Sequence, residues 1–279
     1  MSPATPWQAF FCLLYGAVPV PTPNIYNQGM RVTGASPMIT SSLLSDISSI
    51  AHGFGHRQML MPGSLAGFEA ARPQKQQVHG TRIVTVERPG QACGEADGFL
   101  TDRPGIPVSV VTADCLPILL AHRSGGYIGA LHAGWRGLLD GIIELMLERI
   151  TAQRWGNLSE WRAVVGPAAG ARAYEVSEAL VTRFRASLSI PDEVMAPLPR
   201  HLALGAIACH KLEDAGVGEI EHLDQCTITT LTDGSIGALN GPDPNAYRFQ
   251  SHRRHTLTHP DPDERPKLPN QHSGLVILP

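Results

Sequence analysis

Residues 106–150, IPVSVVTADCLPILLAHRSGGYIGALHAGWRGLLDGIIELMLERI, decide the fold class because three strand patterns precede one helix pattern. Ile106–Thr112 predicts a buried strand, and Tyr127–Leu131 predicts a further strand. Between them, Leu116–Ala121 continues the apolar run. Leu138–Ile150 then places apolar residues at helical spacing with charged residues between them, which is typical of an amphipathic helix.

The same mixture extends along the chain in both directions. Further strands are predicted at Arg82–Glu87, Trp161–Val165, Glu219–Leu223 and Ser273–Leu278, helices within Ala173–Leu188 and Pro199–Ala215, and a Pro-rich loop at Thr256–Gln271. We therefore expect an α/β (α+β) fold. Residues 1–50 are rich in Pro, Ser, Thr, Gly and Asn, so we expect a poorly ordered N-terminal extension there and a domain at residues 51–279.

Composition indicates which classes of binding partner and which cellular compartment the sequence favours. Charged residues make up 17% of the 279 and the net charge is −3, without a block of either sign, which disfavours nucleic acid and membrane surfaces as partners. Five scattered cysteines without a C-x-x-C pair favour a reducing compartment, so we expect a cytoplasmic protein. Residues 7–21 have the apolar character of a signal-peptide core, but Lys or Arg does not precede them, so a targeting role stays open.

Three short motifs at predicted strand ends carry the metal-binding residue types. They are QVHG at 77–80, TADC at 112–115 and HAGWRG at 132–137, and they supply His79, Cys115 and His132. Two imidazoles and a thiolate are good zinc ligands, and three protein ligands leave a coordination position for water or substrate, as in catalytic sites. The spacing alone is weak evidence, because Cys115 also fits a small core residue and the histidines fit a turn and a core position.

Several neighbouring polar residues each allow two interpretations. Arg136, between two glycines at a predicted helix start, suits either a phosphate or carboxylate ligand or an ion pair within the domain. Asp114 suits either orientation of a histidine or capping of a turn. Tyr174 suits a pocket wall, although core packing is the simpler interpretation, and the Asp97-Gly98 pair predicts a tight turn.

Taken together and in order, these motifs resemble one known family. QVHG, ADG at 96–98, TADC, HAGWRG, and VGP at 165–167 followed by YEV at 174–176 are similar to the YfiH-like proteins, also described as multicopper polyphenol oxidase (laccase) domain proteins. The resemblance covers about residues 51–255. It implies mixed β-sheets sandwiched between helices in a single domain, with His79, Cys115 and His132 as the metal ligands.

The resemblance also implies an activity. Members of the YfiH-like family are similar to zinc-dependent enzymes that phosphorolyse adenosine, inosine and methylthioadenosine and deaminate adenosine. The resemblance therefore implies a purine nucleoside and phosphate as substrates. We assign catalytic roles to Asp114 and Arg136. Substrate contacts are assigned to Arg57, Gln77, Tyr174 and Arg253.

The chain departs from the family pattern in two places, and other activities stay open. The segment after His52-Gly53-Phe54 is shortened, and a Pro-rich insertion follows Ser251-His252-Arg253-Arg254, where the family has a tyrosine in place of His252. The alternatives are a copper-dependent polyphenol oxidase, a Cys115-dependent amidase or hydrolase in peptidoglycan editing, and a metal-binding module without catalysis. The sequence leaves the oligomeric state and the native metal open.

Overall fold

The fold is known from a computed structural model, which describes residues 37–239, 241 and 243–279. A compact unit runs from Ser36 to Pro279. Its described helices are α1 Ser42–Ser45, α2 Gly63–Ala66, α3 Trp135–Leu139, α4 Ile142–Ala152, α5 Glu178–Ser187, α6 Asp192–Met195, α7 Leu204–Asp214 and α8 His252–Thr258. The strands are β1 Ile50–Phe54, β2 Gln74–Gln76, β3 Ile83–Thr85, β4 Ala92–Glu95, β5 Gly98–Thr101, β6 Val108–Val111, β7 Leu116–His122, β8 Ile128–Ala133, β9 Trp161–Val165, β10 Glu219–His222 and β11 His272–Ile277.

A six-stranded mixed sheet forms the centre, in the order β10-β9-β7-β8-β5-β3. Its two outer pairs, β10 with β9 and β5 with β3, are parallel, and the pairs between them are antiparallel. Every residue of β7 and β8 is buried, which explains why their sequences are continuously apolar instead of alternating.

Layers on the central sheet account for that burial. Helices α4 and α7 pack against its strands, and a three-stranded antiparallel sheet, β1-β11-β6, packs against β7 and β8. Strands β2 and β4 form a separate two-stranded parallel sheet. The prediction of mixed sheets between helices in one domain is confirmed. No helix in the described ranges is long and apolar enough to cross a membrane.

Two of three local predictions were wrong, each for an identifiable reason. The helix predicted at 138–150 is two helices, because Gly141 adopts a left-handed backbone with φ of 88° that ends the first of them. The turn predicted at Asp97-Gly98 is present as the bend between β4 and β5, and its aspartate is buried. Residues 256–258, predicted as loop, finish α8, which Ser251 caps by accepting a hydrogen bond from the Arg254 amide.

The N-terminal boundary of the domain also differs from the sequence-based expectation. Residues 37–50 were assigned to the extension, but they belong to the compact unit. Leu44 in α1 is fully buried, and Ile39 and Ile47 are 5% exposed, so three apolar side chains anchor this segment to the core. The rest of the predicted extension, including the apolar stretch at 7–21, lies outside the described residues.

Candidate metal centre

Antiparallel pairing of β7 and β8 brings two of the candidate ligands together. Cys115 directly precedes β7, and His132 is the second-last residue of β8, where it lies opposite Pro117. Because the start of one antiparallel strand faces the end of the other, the two side chains meet at one end of the sheet. His79 reaches the same point from the loop after β2, with an unusual left-handed backbone (φ 59°).

The three ligand atoms converge. The ligand nitrogen of each histidine and the sulfur of Cys115 all lie within 4.8 Å of one another, and the His79 and His132 rings meet edge to face with 4.7 Å between their centroids. In a tetrahedral zinc site with bonds of about 2.0–2.3 Å, donor atoms stand about 3.3–3.8 Å apart. Movements of the three side chains by about 1 Å or less would therefore bring their ligand atoms to the separations of a zinc site.

Buried Asp97 organises this cluster. It is 0% exposed, and its Oδ1 accepts hydrogen bonds from His132 Nδ1 at 2.7 Å and from the His79 amide at 3.0 Å. Its Oδ2 accepts from the amides of Val78 at 3.2 Å and Gly80 at 2.8 Å. Because Nδ1 of His132 carries the proton shared with the carboxylate, Nε2 is left with a free lone pair for a metal.

Asp97 is the functional residue that sequence reasoning missed. The Asp-Gly pair pointed to a tight turn and not to a role at the metal site. The available signal was its position directly before the short strand β5, which places the aspartate at the same sheet end as His132. Gly98 pairs with Leu131, and the His132 amide donates to the Asp97 carbonyl at 2.7 Å.

Close packing at the cluster also depends on Gly134. A Cβ at this position would lie 3.0 Å from Cys115 Sγ and 3.0 Å from His79 Cδ2. A side chain here would therefore press on two of the three ligands.

Ionisation of the ligands follows their burial. Burial, with smaller contributions from Asp114 and Asp97, raises the pKa of the Cys115 thiol to about 12. Burial, together with the neighbouring His132, lowers the pKa of His79. A divalent cation reverses the electrostatics of the thiol, since coordination stabilises the thiolate and needs neutral imidazoles. The donor set therefore fits zinc.

The cluster lies in the wall of a large cavity of about 1250 Å³. Other predicted site residues that line the same cavity are Gln77, Asp114, Arg136, Tyr174 and Arg253. Arg57 is placed elsewhere: its guanidinium donates to Asn245 at 3.4 Å. The structure thus gathers the metal ligands and five of the six other candidates around one space.

Two of these candidates have clear structural contacts. The Gln77 amide donates to the Val111 carbonyl and accepts from the Val111 amide, each at 2.8 Å, so it extends the end of β6. Asp114 has a left-handed backbone (φ 87°), and its carboxylate accepts from the Thr227 hydroxyl at 2.6 Å. It also accepts from the Ser251 hydroxyl at 3.0 Å and the Arg253 amide at 2.7 Å, which fixes the start of α8.

The remaining three lie around the cavity as aromatic and cationic groups. The guanidinium of Arg253 lies 5.4 Å from the centroid of the Tyr174 ring and donates to the Glu175 carbonyl at 2.9 Å. Arg136 is exposed and lies over the Trp135 ring at 5.1 Å. Burial and the neighbouring Cys115 raise the pKa of Tyr174 to about 12, so its hydroxyl keeps its proton at neutral pH.

Comparison with known proteins supports the family resemblance. A purine nucleoside phosphorylase of Rickettsia conorii is 36% identical over 163 residues, which is 55% of this chain and 64% of that protein. The purine nucleoside phosphorylase YfiH of Escherichia coli is 35% identical over 159 residues, 55% of this chain and 63% of that protein. The matches therefore span less than two thirds of these relatives.

Solved structures show the same fold at lower sequence identity. Bacillus licheniformis hypothetical protein YfiH superposes with a TM-score of 0.66 at 22% identity, covering 88% of this chain and 98% of that one. YlmD from Geobacillus stearothermophilus gives 0.65 at 22% identity, covering 84% and 94%. The sequence model of the multi-copper polyphenol oxidoreductase laccase family matches residues 62–233, more than half of the chain. The chain therefore belongs to this family.

Proposed function

We propose that this chain is a zinc-dependent purine nucleoside phosphorylase, acting on adenosine, inosine and methylthioadenosine, that also deaminates adenosine. The observation that carries the proposal is the convergence of His79, Cys115 and His132 within 4.8 Å in the wall of a cavity large enough for a nucleoside. The names of the relatives from Rickettsia conorii and Escherichia coli support the nucleoside as substrate.

The three ligands favour zinc as the resident metal. One sulfur and two nitrogens are a donor set that zinc takes readily, and they leave one position for a substrate atom. Bound zinc supplies a Lewis acid and a positive charge beside the substrate. Asp97 keeps His132 in the tautomer that can coordinate, through the 2.7 Å hydrogen bond to Nδ1.

Arg136 is the proposed phosphate-binding residue. Its side chain is exposed, it lines the cavity, and it follows Gly134-Trp135 at the start of α3. A guanidinium presents a planar pair of donors that matches two phosphate oxygens. In phosphorolysis a phosphate oxygen bonds to ribose C1′ while the C1′–N9 bond breaks, and the purine keeps that electron pair and takes up a proton.

Tyr174 and Arg253 are the proposed purine contacts, with Gln77 fixing the neighbouring strand end. An aromatic ring and a guanidinium both stack on a purine face, and a protonated phenol donates a hydrogen bond. Asp114 is a positioning residue in this scheme, because its carboxylate holds the backbone of Arg253. In deamination water adds its oxygen to purine C6 and ammonia leaves with the amino nitrogen.

The alternative activities receive less support from these contacts. Within the described ranges, His79, Cys115 and His132 are the one group of at least three His, Cys, Asp or Glu residues that fits a metal, whereas a multicopper array needs more ligands. A thiol hydrolase needs a reactive thiolate, but the pKa of the Cys115 thiol is raised to about 12. We place the activity in the cytoplasm, in keeping with the free cysteines.

Product analysis with and without phosphate tests the proposal. Zinc-loaded protein is incubated with adenosine, and inosine, adenine, hypoxanthine and ribose 1-phosphate are separated by chromatography. Inosine without phosphate reports deamination, and ribose 1-phosphate with phosphate reports phosphorolysis. His79→Ala and Cys115→Ala should abolish both, while His259→Ala, which removes an exposed histidine outside the cavity lining, should not. Product formation that persists in the two ligand variants, or fails in the unaltered protein, would overturn the proposal.

A further inference from the structure

One part of the large cavity carries buried hydrogen-bond donors without partners. Lys75 in β2 and His272 at the start of β11 both line the cavity. Lys75 Nζ and His272 Nδ1 are buried, and neither has a hydrogen-bond partner among the described residues. Buried polar atoms are rarely left unpaired in folded proteins, so their occurrence together in one cavity points to a missing ligand.

The tautomer of His272 follows from its other nitrogen. Arg72 Nη1 lies 3.4 Å from His272 Nε2. A guanidinium can only donate, so Nε2 accepts and the ring proton sits on Nδ1. The unpaired Nδ1 is therefore a donor. The protonated amine of Lys75 is also a pure donor, and a bound anion would favour that form, so an acceptor suits both unpaired groups.

Cationic groups cluster around these atoms, although the Asp97 carboxylate also lies within electrostatic range of Lys75. Burial, followed by Arg72 and Lys75, lowers the pKa of His272. Burial, followed by Arg72, lowers the pKa of Lys75 to about 7, against smaller raising effects of Cys93 and Asp97. Arg72, Lys75 and His272 therefore lie within electrostatic range of one another. Lys75 Nζ lies 4.2 Å from the centroid of the Phe99 ring. This arrangement disfavours a cationic ligand and favours an anionic one.

The whole cavity shows the same bias. Five lining residues are cationic (Arg72, Lys75, Arg136, Arg253 and Lys267), against the two carboxylates of Glu69 and Asp114. Asp114 is already engaged by three donors. The third unpaired buried group of the lining, the Thr112 hydroxyl, follows the strand residue that pairs with His272.

We propose that Lys75, His272 and Arg72 form a phosphate-binding subsite in this cavity, distinct from Arg136, that takes inorganic phosphate or the phosphate group of a nucleoside monophosphate. A phosphate offers several acceptor oxygens in different directions, which suits an ammonium, an imidazole N–H and a guanidinium better than a single acceptor does. The subsite lies in the cavity of the proposed active site, but its test measures binding and does not require turnover.

Calorimetric titration of the full chain tests the subsite. Inorganic phosphate and a nucleoside monophosphate are titrated separately at constant ionic strength. Lys75→Met should weaken binding of at least one of them by about 10- to 100-fold, the loss expected for hydrogen bonds to a charged group. The matched control is Lys267→Met, which makes the same change at an exposed lysine of the same cavity and should alter binding by about twofold at most.

The two titrants identify the source of the anion, and stability separates binding from a structural role. If phosphate responds, the subsite takes the free ion, and if only the monophosphate responds, it takes the ester. Without phosphate, Lys75→Met should leave the melting temperature equal or higher, because it removes a buried unpaired charge. Equal losses in Lys267→Met, unchanged binding in Lys75→Met, or absence of binding at millimolar concentration of both titrants would each overturn the proposal.

Discussion

Asp97→Asn tests how the metal ligands are held in place. The substitution keeps the shape of the side chain but replaces one acceptor oxygen with an NH₂ donor. Each oxygen of Asp97 accepts two hydrogen bonds: Oδ1 from His132 Nδ1 and the His79 amide, and Oδ2 from the Val78 and Gly80 amides. Whichever position the NH₂ group takes, two donors lose their acceptor.

The size of the effect follows from this count. Each buried donor left unpaired costs about 1–3 kcal/mol, so two cost about 2–6 kcal/mol of folding stability. If the NH₂ group of the asparagine faces His132, Nδ1 of His132 loses its acceptor. The imidazole can then regain a hydrogen bond only if its proton moves to Nε2, and a protonated Nε2 cannot coordinate a metal. Loss of a carboxylate behind a ligating histidine lowers metal affinity by about 10- to 100-fold.

Two assays separate these effects. Zinc affinity is measured by competition with a chromophoric chelator at neutral pH, and stability is measured by urea denaturation of metal-free protein. Asp140→Asn is the matched control, since its carboxylate is 54% exposed and lies 3.8 Å from Arg183. If Asp97→Asn binds zinc as tightly as the unaltered protein, the carboxylate does not orient the ligand and the reasoning fails.

Three further predictions concern packing, the domain boundary and pH. Gly134→Ala should lower zinc affinity by about tenfold, because the added Cβ would lie 3.0 Å from Cys115 Sγ. The control Gly137→Ala, whose Cβ would lie 3.3 Å from a side chain of α4, should leave the affinity unchanged. Equal affinities of the two variants in a chelator competition would contradict this prediction. Leu44→Ala should cost about 2–5 kcal/mol in urea denaturation, and a loss below about 1 kcal/mol would mean that residues 37–50 contribute little to the domain. Burial, with nearby Arg72 and Lys75, lowers the pKa of His272 to about 4. As the pH falls, this histidine is therefore protonated near pH 6.5 in the unfolded chain but only near pH 4 in the folded chain. Metal-free stability should therefore fall between pH 6.5 and about 4, and His272→Gln should reduce this slope; an unchanged slope would argue against the buried neutral imidazole.

Continuous patterns in the sequence predicted the central sheet well. Trp161–Val165 matches β9 at both ends, and the predicted strands near β7, β8, β10 and β11 lie within one or two residues of their observed bounds. Strands β7, β8 and β9 lie inside the central sheet and β11 lies between two strands, so their apolar runs report burial directly, whereas β10 is a partly exposed edge strand. The strands β2 and β4 were missed because they are only three and four residues long and mainly exposed, without a pattern that distinguishes them from loop.

The three metal ligands were predictable from the sequence, but the residues that hold them in place by hydrogen bonds were not. His79, Cys115 and His132 belong to recognisable motifs, and antiparallel pairing of β7 and β8 explains why two of them meet. The role of Asp97 depends on hydrogen bonds to residues 17 to 35 positions away, which local pattern cannot reveal. The partners of Asp114, 113 to 139 residues distant, and the unpaired donors at Lys75 and His272 are likewise products of the tertiary fold.

X-ray absorption spectroscopy at the zinc edge of protein loaded with one equivalent of zinc tests the central claim most directly. One sulfur at about 2.3 Å and two imidazole nitrogens at about 2.0 Å are expected, with the sulfur lost in Cys115→Ala and one imidazole lost in His79→Ala. A zinc shell without sulfur, or one that neither substitution alters, would show that these three side chains do not share an ion.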